Sequence, residues 1–306
     1  MATTTYTPTE QEGAAAAAGR AIRGFATGLR RELGYALATP SGRIGLPLVV
    51  LHIVLALAGP LLAPYAPNEF HLADRFSGPT TTYWLGTDEF GRDIFSRVMS
   101  GATSIIGVSV AGTILGLVMG TIAGLTTGYV GGKFDEITMR LLDGLMSFPS
   151  LLLALLVLTT LGSSHVNIII TIGVVFTPSV ARVLRSATLS IKTMEFVQSA
   201  RLRGEPAYYI VLREILPNTV SVLTVEASVR LSYAVLLASS LGFLGLGVQP
   251  PSPDWGLMIS EGRAHIADSP IIVLAPSMAV ASLVIGVNLL AEGLREAREL
   301  PKGDES

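Results

Sequence analysis

Two oppositely charged residues, Glu226 and Arg230, sit four apart inside an otherwise apolar stretch. On a helix that spacing puts both on one face, with the acid N-terminal to the base, the orientation that favours pairing. Either charge alone is costly in an apolar setting, so the pair reads as a bundle-interior link or part of a polar pathway. A proton or ion site on Glu226 is the carrier-type alternative. Hydrolytic chemistry finds no comparable support. His52, His71, His165 and His265 have no second His or paired Glu at metal-ligand spacing, and cysteine is absent. Asp135 and Asp143 fall in the same run, 135–162, and no other run holds an Asp, so a facing aspartyl pair from two spans fails. Gly132-Lys133 is the nearest approach to a phosphate loop, but Thr127 replaces the earlier glycine and Phe134 the following Ser/Thr. No catalytic, cofactor-binding or metal-binding residue is expected.

Five glycines follow a strict step of four: Gly112, Gly116, Gly120, Gly124 and Gly128. Each step turns about 400°, which makes a slowly winding ridge on one helix face. Without Cβ atoms the ridge lets a second backbone approach closely. A third cluster lies in 181–217, an Arg-rich segment between two apolar runs. Residues 195–203 suit a helix, Gly204 breaks it, and Pro206 suits the first turn of a second helix. Pro217 is expected to end that helix and Asn218 to cap the next one. Amphipathic helices that project in this way dock into a partner's groove, and a solvated positive-inside loop fits the same residues equally.

The elements that must position these groups follow from composition. Half of the 306 residues are apolar and only 14% are Asp, Glu, Lys or Arg, against roughly 25% in soluble domains. A disordered chain and an ordinary soluble domain are excluded on those figures. The net charge of −2 gives no sign of a nucleic-acid partner. Six runs approach the roughly 20 apolar residues that a helix needs to cross a bilayer: 44–66, 102–129, 135–162, 166–187, 218–240 and 271–292. Charged residues crowd the start of the third, where Arg140 and Asp143, three apart, suggest a structural pair. With the N-terminus inside, 16 Lys and Arg fall in inner segments and four in the outer loops 67–101 and 241–270. That bias puts both termini in the cytoplasm. The chain divides into a tail 1–43, a membrane domain 44–292 and a tail 293–306. An interfacial helix over 20–38 and a simple basic flank fit the first tail equally.

These residues also carry a resemblance. The 198–217 spacing resembles the "EAA" loop of membrane subunits in binding-protein-dependent ABC importers. Ala200, Gly204, Leu216 and Pro217 match its pattern, while Gln198, Ser199 and Glu214 depart from it. The strings WLGTDEFGRDIFSRVMSGA (84–102) and LGFLGLGVQPPSPDWGLMISEGR (241–263) look like the two outer loops of dipeptide/oligopeptide permeases. RLLDGLMSFPSLLLAL (140–155) is similar to their third span. An acidic residue frequent before the second outer loop is Ala238 here.

The resemblance implies an all-α integral membrane protein of six transmembrane helices, the C-type permease subunit of an ATP-driven importer. Di- or oligopeptides are the implied solutes, with nickel and glutathione as alternatives, moved by alternating access. Implied partners are a second homologous permease subunit, one or two cytoplasmic ATPase subunits that bind ATP and Mg, and an extracytoplasmic solute-binding protein. Gln198, Ser199, Ala200, Arg201, Arg203, Gly204, Tyr208, Arg213, Leu216 and Pro217 would form the ATPase-coupling loop. Glu226 and Arg230 would line the pathway. Asp88, Arg92, Gln249 and Trp255 would gate the outer side or touch the binding protein.

Overall fold

The structure, a computed structural model, describes Gly34 and residues 37–299. The interfacial helix expected over 20–38 falls almost wholly outside the described residues, as does the end of the C-terminal tail. Among the described residues the architecture is helical, with one isolated bridge between Thr87 and Asp93.

Helix α1 (Pro40–Leu62) opens where the Thr39 hydroxyl accepts from the Gly42 N–H at 3.2 Å, with Pro40 in the first turn. Helix α2 (Ile94–Val130) is capped by Asp93, whose carboxylate accepts from the Ser96 N–H at 2.8 Å. It begins eight residues before the expected span and ends at Gly131, where φ is +71°. Helices α3 (Gly132–Met146) and α4 (Ser150–Leu161) follow, then α5 (His165–Ile191), α6 (Glu195–Leu202), α7 (Ala207–Phe243), α8 (Trp255–Gly262) and α9 (Ile271–Glu299).

Five of these helices are long and apolar enough to cross a membrane. The third expected span is not one straight helix: α3 and α4 meet at 88° across a short break. Pro149 is the local cause: its own backbone is extended at φ −55° and ψ 130°, and its ring disfavours helical geometry in the residue before it. Counted as one span, the broken pair brings the crossings to six. Apolar side chains such as Leu57, Leu61, Ile122, Leu141 and Leu156 are more than half exposed around the bundle. Water would penalise such a surface; hydrocarbon does not.

Inside, α2 and α5 form the most intimate pair, along the glycine ridge. A Cβ on Gly112 would stand 2.7 Å from the Ile172 Cβ, and one on Gly124 2.5 Å from the Ala181 carbonyl oxygen. Gly116, Gly120 and Gly128 meet Phe176, Val180 and Thr188 in the same way. The core divides in two. One cluster gathers Ile105, Leu158, Ile172, Leu241 and Trp255. The other joins Leu125, Val180 and Leu184 to Val197 and Ala200 of α6 and Ile210 and Ile215 of α7.

Candidate functional site

The segment 195–217 is a helix–bend–helix unit rooted in the second core cluster. Its bend is built by hydrogen bonds. The Gly204 N–H donates to the Arg201 carbonyl at 2.9 Å and the Glu205 N–H to the Ala200 carbonyl at 3.2 Å. Those two bonds close a Schellman motif, which needs a left-handed residue at its centre, and Gly204 has φ +77°. Pro206, at φ −70° and ψ 152°, then leads into α7. Lys192 donates its Nζ to the Gly128 carbonyl at 2.7 Å and ties the unit's entry to the end of α2. Gln198 donates Nε2 to the Lys192 carbonyl at 3.1 Å. A glutamate at that position could not donate, so the departure from the family's Glu has its own local use.

The unit buries one face and shows the other. Val197 and Ala200 are wholly buried, while Leu202, Tyr208 and Leu212 are 89%, 70% and 55% exposed. Ser199, Arg201 and Arg213 lie on exposed positions. The Arg201 guanidinium stands 5.0 Å from the Tyr129 ring centre. Glu214 and Arg203 approach only to 3.8 Å with Arg203 half exposed, a contact of little energetic weight.

Pro217 does not end the second helix, contrary to the sequence expectation. Helix α7 runs through it, because Ile210–Ile215 widens to π geometry and the Leu216 N–H donates to Val211, five residues back. The wide turn makes room for a ring that would clash in an α-turn. Asn218 therefore caps nothing; its Nδ2 donates to the Glu214 carbonyl at 2.7 Å. The broken third span is pinned to α5 from the side. Asp135 receives Arg185 in a two-pronged pair at 2.5 and 2.6 Å, and Asp143 receives Arg182 at 2.6 Å. Arg140 pairs with Glu136 rather than with Asp143.

Glu226 and Arg230 do pair: Nε donates to Oε1 at 2.6 Å, and Glu226 is buried. Arg230 borders a cavity between α4, α5 and α7.

Three of the four residues expected to gate the outer side or touch the binding protein, Asp88, Arg92 and Trp255, are buried. Asp88 is 1% and Arg92 8% exposed. They belong to an ionic knot that the sequence did not reveal: Arg92 bonds Asp88 at 2.6 Å, Arg97 also bonds Asp88, and both arginines reach Glu261 on α8 at 3.1 and 3.2 Å. Buried charges must pair, and these clasp residues 88–97 to α8. Glu261 is 164 residues from Arg97, so no local spacing signals it. Trp255 is fully buried; its Nε1 donates to the Val98 carbonyl at 2.8 Å, and its ring fills the space that Gly101 leaves. Gln249 alone of the four is exposed, and its Nε2 donates to the Gly245 and Gly247 carbonyls. Asp254, which opens α8 by accepting from the Leu257 N–H at 2.9 Å, is 1% exposed. Burial pushes its carboxyl up to about 6, against the pull of its backbone hydrogen bonds.

Residues 116–298 match the family described as "Binding-protein-dependent transport system inner membrane component". The Glutathione transport system permease protein GsiD of Escherichia coli O1:K1 / APEC is 42% identical over 250 residues, spanning 81% of this chain and 82% of the relative. The protein of the same name from Shigella boydii serotype 4 gives the same figures. Among solved structures, the MetNI methionine ABC transporter in an inward-facing conformation aligns with a TM-score of 0.54 at 19% identity. That alignment covers 66% of this chain and 95% of the other, a likeness of fold. With a helical bundle of up to six crossings and a projecting Gly204 unit, these matches establish that the chain belongs to the binding-protein-dependent inner-membrane components, as a permease subunit of an ABC importer.

Proposed function

We propose that this subunit carries small peptides, glutathione-like tripeptides among them, across the cytoplasmic membrane by alternating access. It forms half of the pathway with a second homologous permease. One or two cytoplasmic ATPases bind ATP and Mg and grip the 195–217 unit, and an extracytoplasmic binding protein delivers the solute. The observation that carries the coupling role is the two-faced unit itself. Its buried face is continuous with the bundle core, and its exposed face offers Leu202, Tyr208 and Leu212 to a partner. A push there reaches α2, α5 and α7 through packed side chains, because cores transmit strain rather than absorb it. The excess of inner Lys and Arg supports an orientation that puts this unit, and both termini, in the cytoplasm. The glutathione transporter names of the relatives favour a peptide over a metal ion as solute.

The test is uptake of labelled glutathione and of an α-linked tripeptide into proteoliposomes holding the assembled transporter. Uptake is expected only with ATP, the ATPases and the binding protein together. Uptake by this chain alone under an ion gradient would replace the proposal with a secondary carrier.

A further inference from the structure

The cavity beside Arg230 has a chemistry of its own. It holds about 280 Å³ where α4 begins after the break and faces α5 and α7. Arg230, Ser150, Ser179 and Tyr233 line it together with the ring of Phe176. Arg230 spends only Nε on Glu226. Neither of its terminal nitrogens meets an acceptor among the described residues, and neither do the hydroxyls of Ser150, Ser179 and Tyr233. The guanidinium is held near the Phe176 and Tyr233 rings, 5.8 and 6.0 Å from their centres. Two obligate donors, the terminal nitrogens of Arg230, therefore stand free beside three hydroxyls that can donate or accept, a setting that suits an anionic acceptor.

Depth says which anion. Arg230 lies 13 residues before α7 ends at Phe243, or about 20 Å along the helix, well inside a hydrocarbon core of roughly 30 Å. A lipid headgroup does not reach that level, which favours a solute in the pathway as the acceptor. Size narrows it further. The volume is just under the roughly 300 Å³ at which whole-ligand pockets begin, which suits one end of a peptide.

We infer that this cavity receives the C-terminal carboxylate of the transported peptide during its passage, with the two free nitrogens of Arg230 gripping both oxygens and the hydroxyls of Ser179 and Ser150 completing the shell. The inference rests on the peptide-importer reading above. Glu226 already neutralises one side of the guanidinium, so the grip is moderate. A transport site needs that, since the solute must also leave.

The assembled transporter, with its partner subunits and binding protein, is given trialanine and trialanine amide in separate proteoliposome assays. The ratio of acid to amide uptake is compared between wild type and variants, so any preference of the binding protein cancels. Arg230→Gln should lower that ratio about tenfold, the scale of one hydrogen bond to a charged group. Arg230→Lys, which keeps the charge but not the fork, and Ser179→Ala should each lower it about threefold. The last two carry the comparison if Arg230→Gln fails to assemble. An unchanged ratio, including an equal loss for both peptides, overturns the inference and leaves Arg230 a packing role. If wild type imports neither peptide, the peptide reading falls, and this site falls with it.

Discussion

A methyl group added at Gly120 should do what one added at Gly107 does not. A Cβ on Gly120 would stand 2.5 Å from the Val180 Cβ and 2.9 Å from the Thr177 carbonyl oxygen. Carbon atoms rest at about 3.5–4.0 Å, so α2 and α5 must part by roughly 1 Å. The obstacles are a backbone oxygen and a β-carbon, which no rotamer change can move. Overpacking of this kind costs about 1–3 kcal/mol. Replacing Gly by Ala inside a helix returns up to about 1 kcal/mol. Gly120→Ala is therefore expected to destabilise by up to about 2 kcal/mol net of that return. A Cβ on Gly107, on the same helix, meets nothing within 4 Å, so only the favourable helix contribution remains. Thermal unfolding of the assembled transporter in detergent, followed by tryptophan fluorescence, measures both. At roughly 2–4 °C per kcal/mol, the two variants should fall on opposite sides of wild type. Adding Val180→Gly to Gly120→Ala removes the obstructing β-carbon and should recover part of the loss, with a coupling of about 1 kcal/mol or more. Equal shifts in one direction for the two alanine variants, or no coupling in the double variant, would refute the close-packing argument.

Gly204 tests the lever by conformation instead of by space. A Cβ there has open surroundings, but φ is +77°, so strain alone acts: small for Asn, about 1 kcal/mol for Ala and more for a β-branched residue. ATP-dependent uptake should fall in the order Gly204→Asn, Gly204→Ala, Gly204→Val, and wild-type uptake in the Val variant would count against the coupling role. Asp254 gives a pH dependence outside the spans. Its folded carboxyl is raised from 3.8 to about 6, so its contribution to stability is fully present below pH 3.8 and is lost as pH rises through 6. At roughly 1.36 kcal/mol per pKa unit, the ionised group costs about 3 kcal/mol above that point. Asp254→Asn keeps an oxygen for the Leu257 N–H and should melt higher than wild type at pH 8, with the gain vanishing near pH 4. A constant gain across that range would show that burial of the charge is not the cause.

Much of the coupling unit was legible because its determinants are local. The Schellman bend needs one glycine at one position, and the break before Pro206 lies within three residues of it. The pairing of Glu226 with Arg230 was legible for the same reason, as neighbours on one turn. The break in the third span also had its signal in Phe148-Pro149, but hydrophobic length outweighed it when the run 135–162 was counted as one crossing. Pro217 misled in the opposite sense. A proline stops a helix only where the helix cannot widen, and whether it widens depends on what Ile210 and Ile215 pack against.

The sequence by itself determined the class of protein, the apolar runs that can cross a bilayer and the glycine face of α2, since each follows from transfer of apolar side chains into lipid or from a fixed angular step along one helix. Only the tertiary structure decided that Asp88 and Arg92 are clasped to Arg97 and Glu261, that Trp255 fills the space above Gly101, and that Asp143 belongs to Arg182. The partners in each of these contacts lie 39 to 169 residues apart, apart from those of Asp88. Charges and rings buried in a bundle take whichever partner the packed helices bring within reach, and no periodicity along the chain encodes that choice.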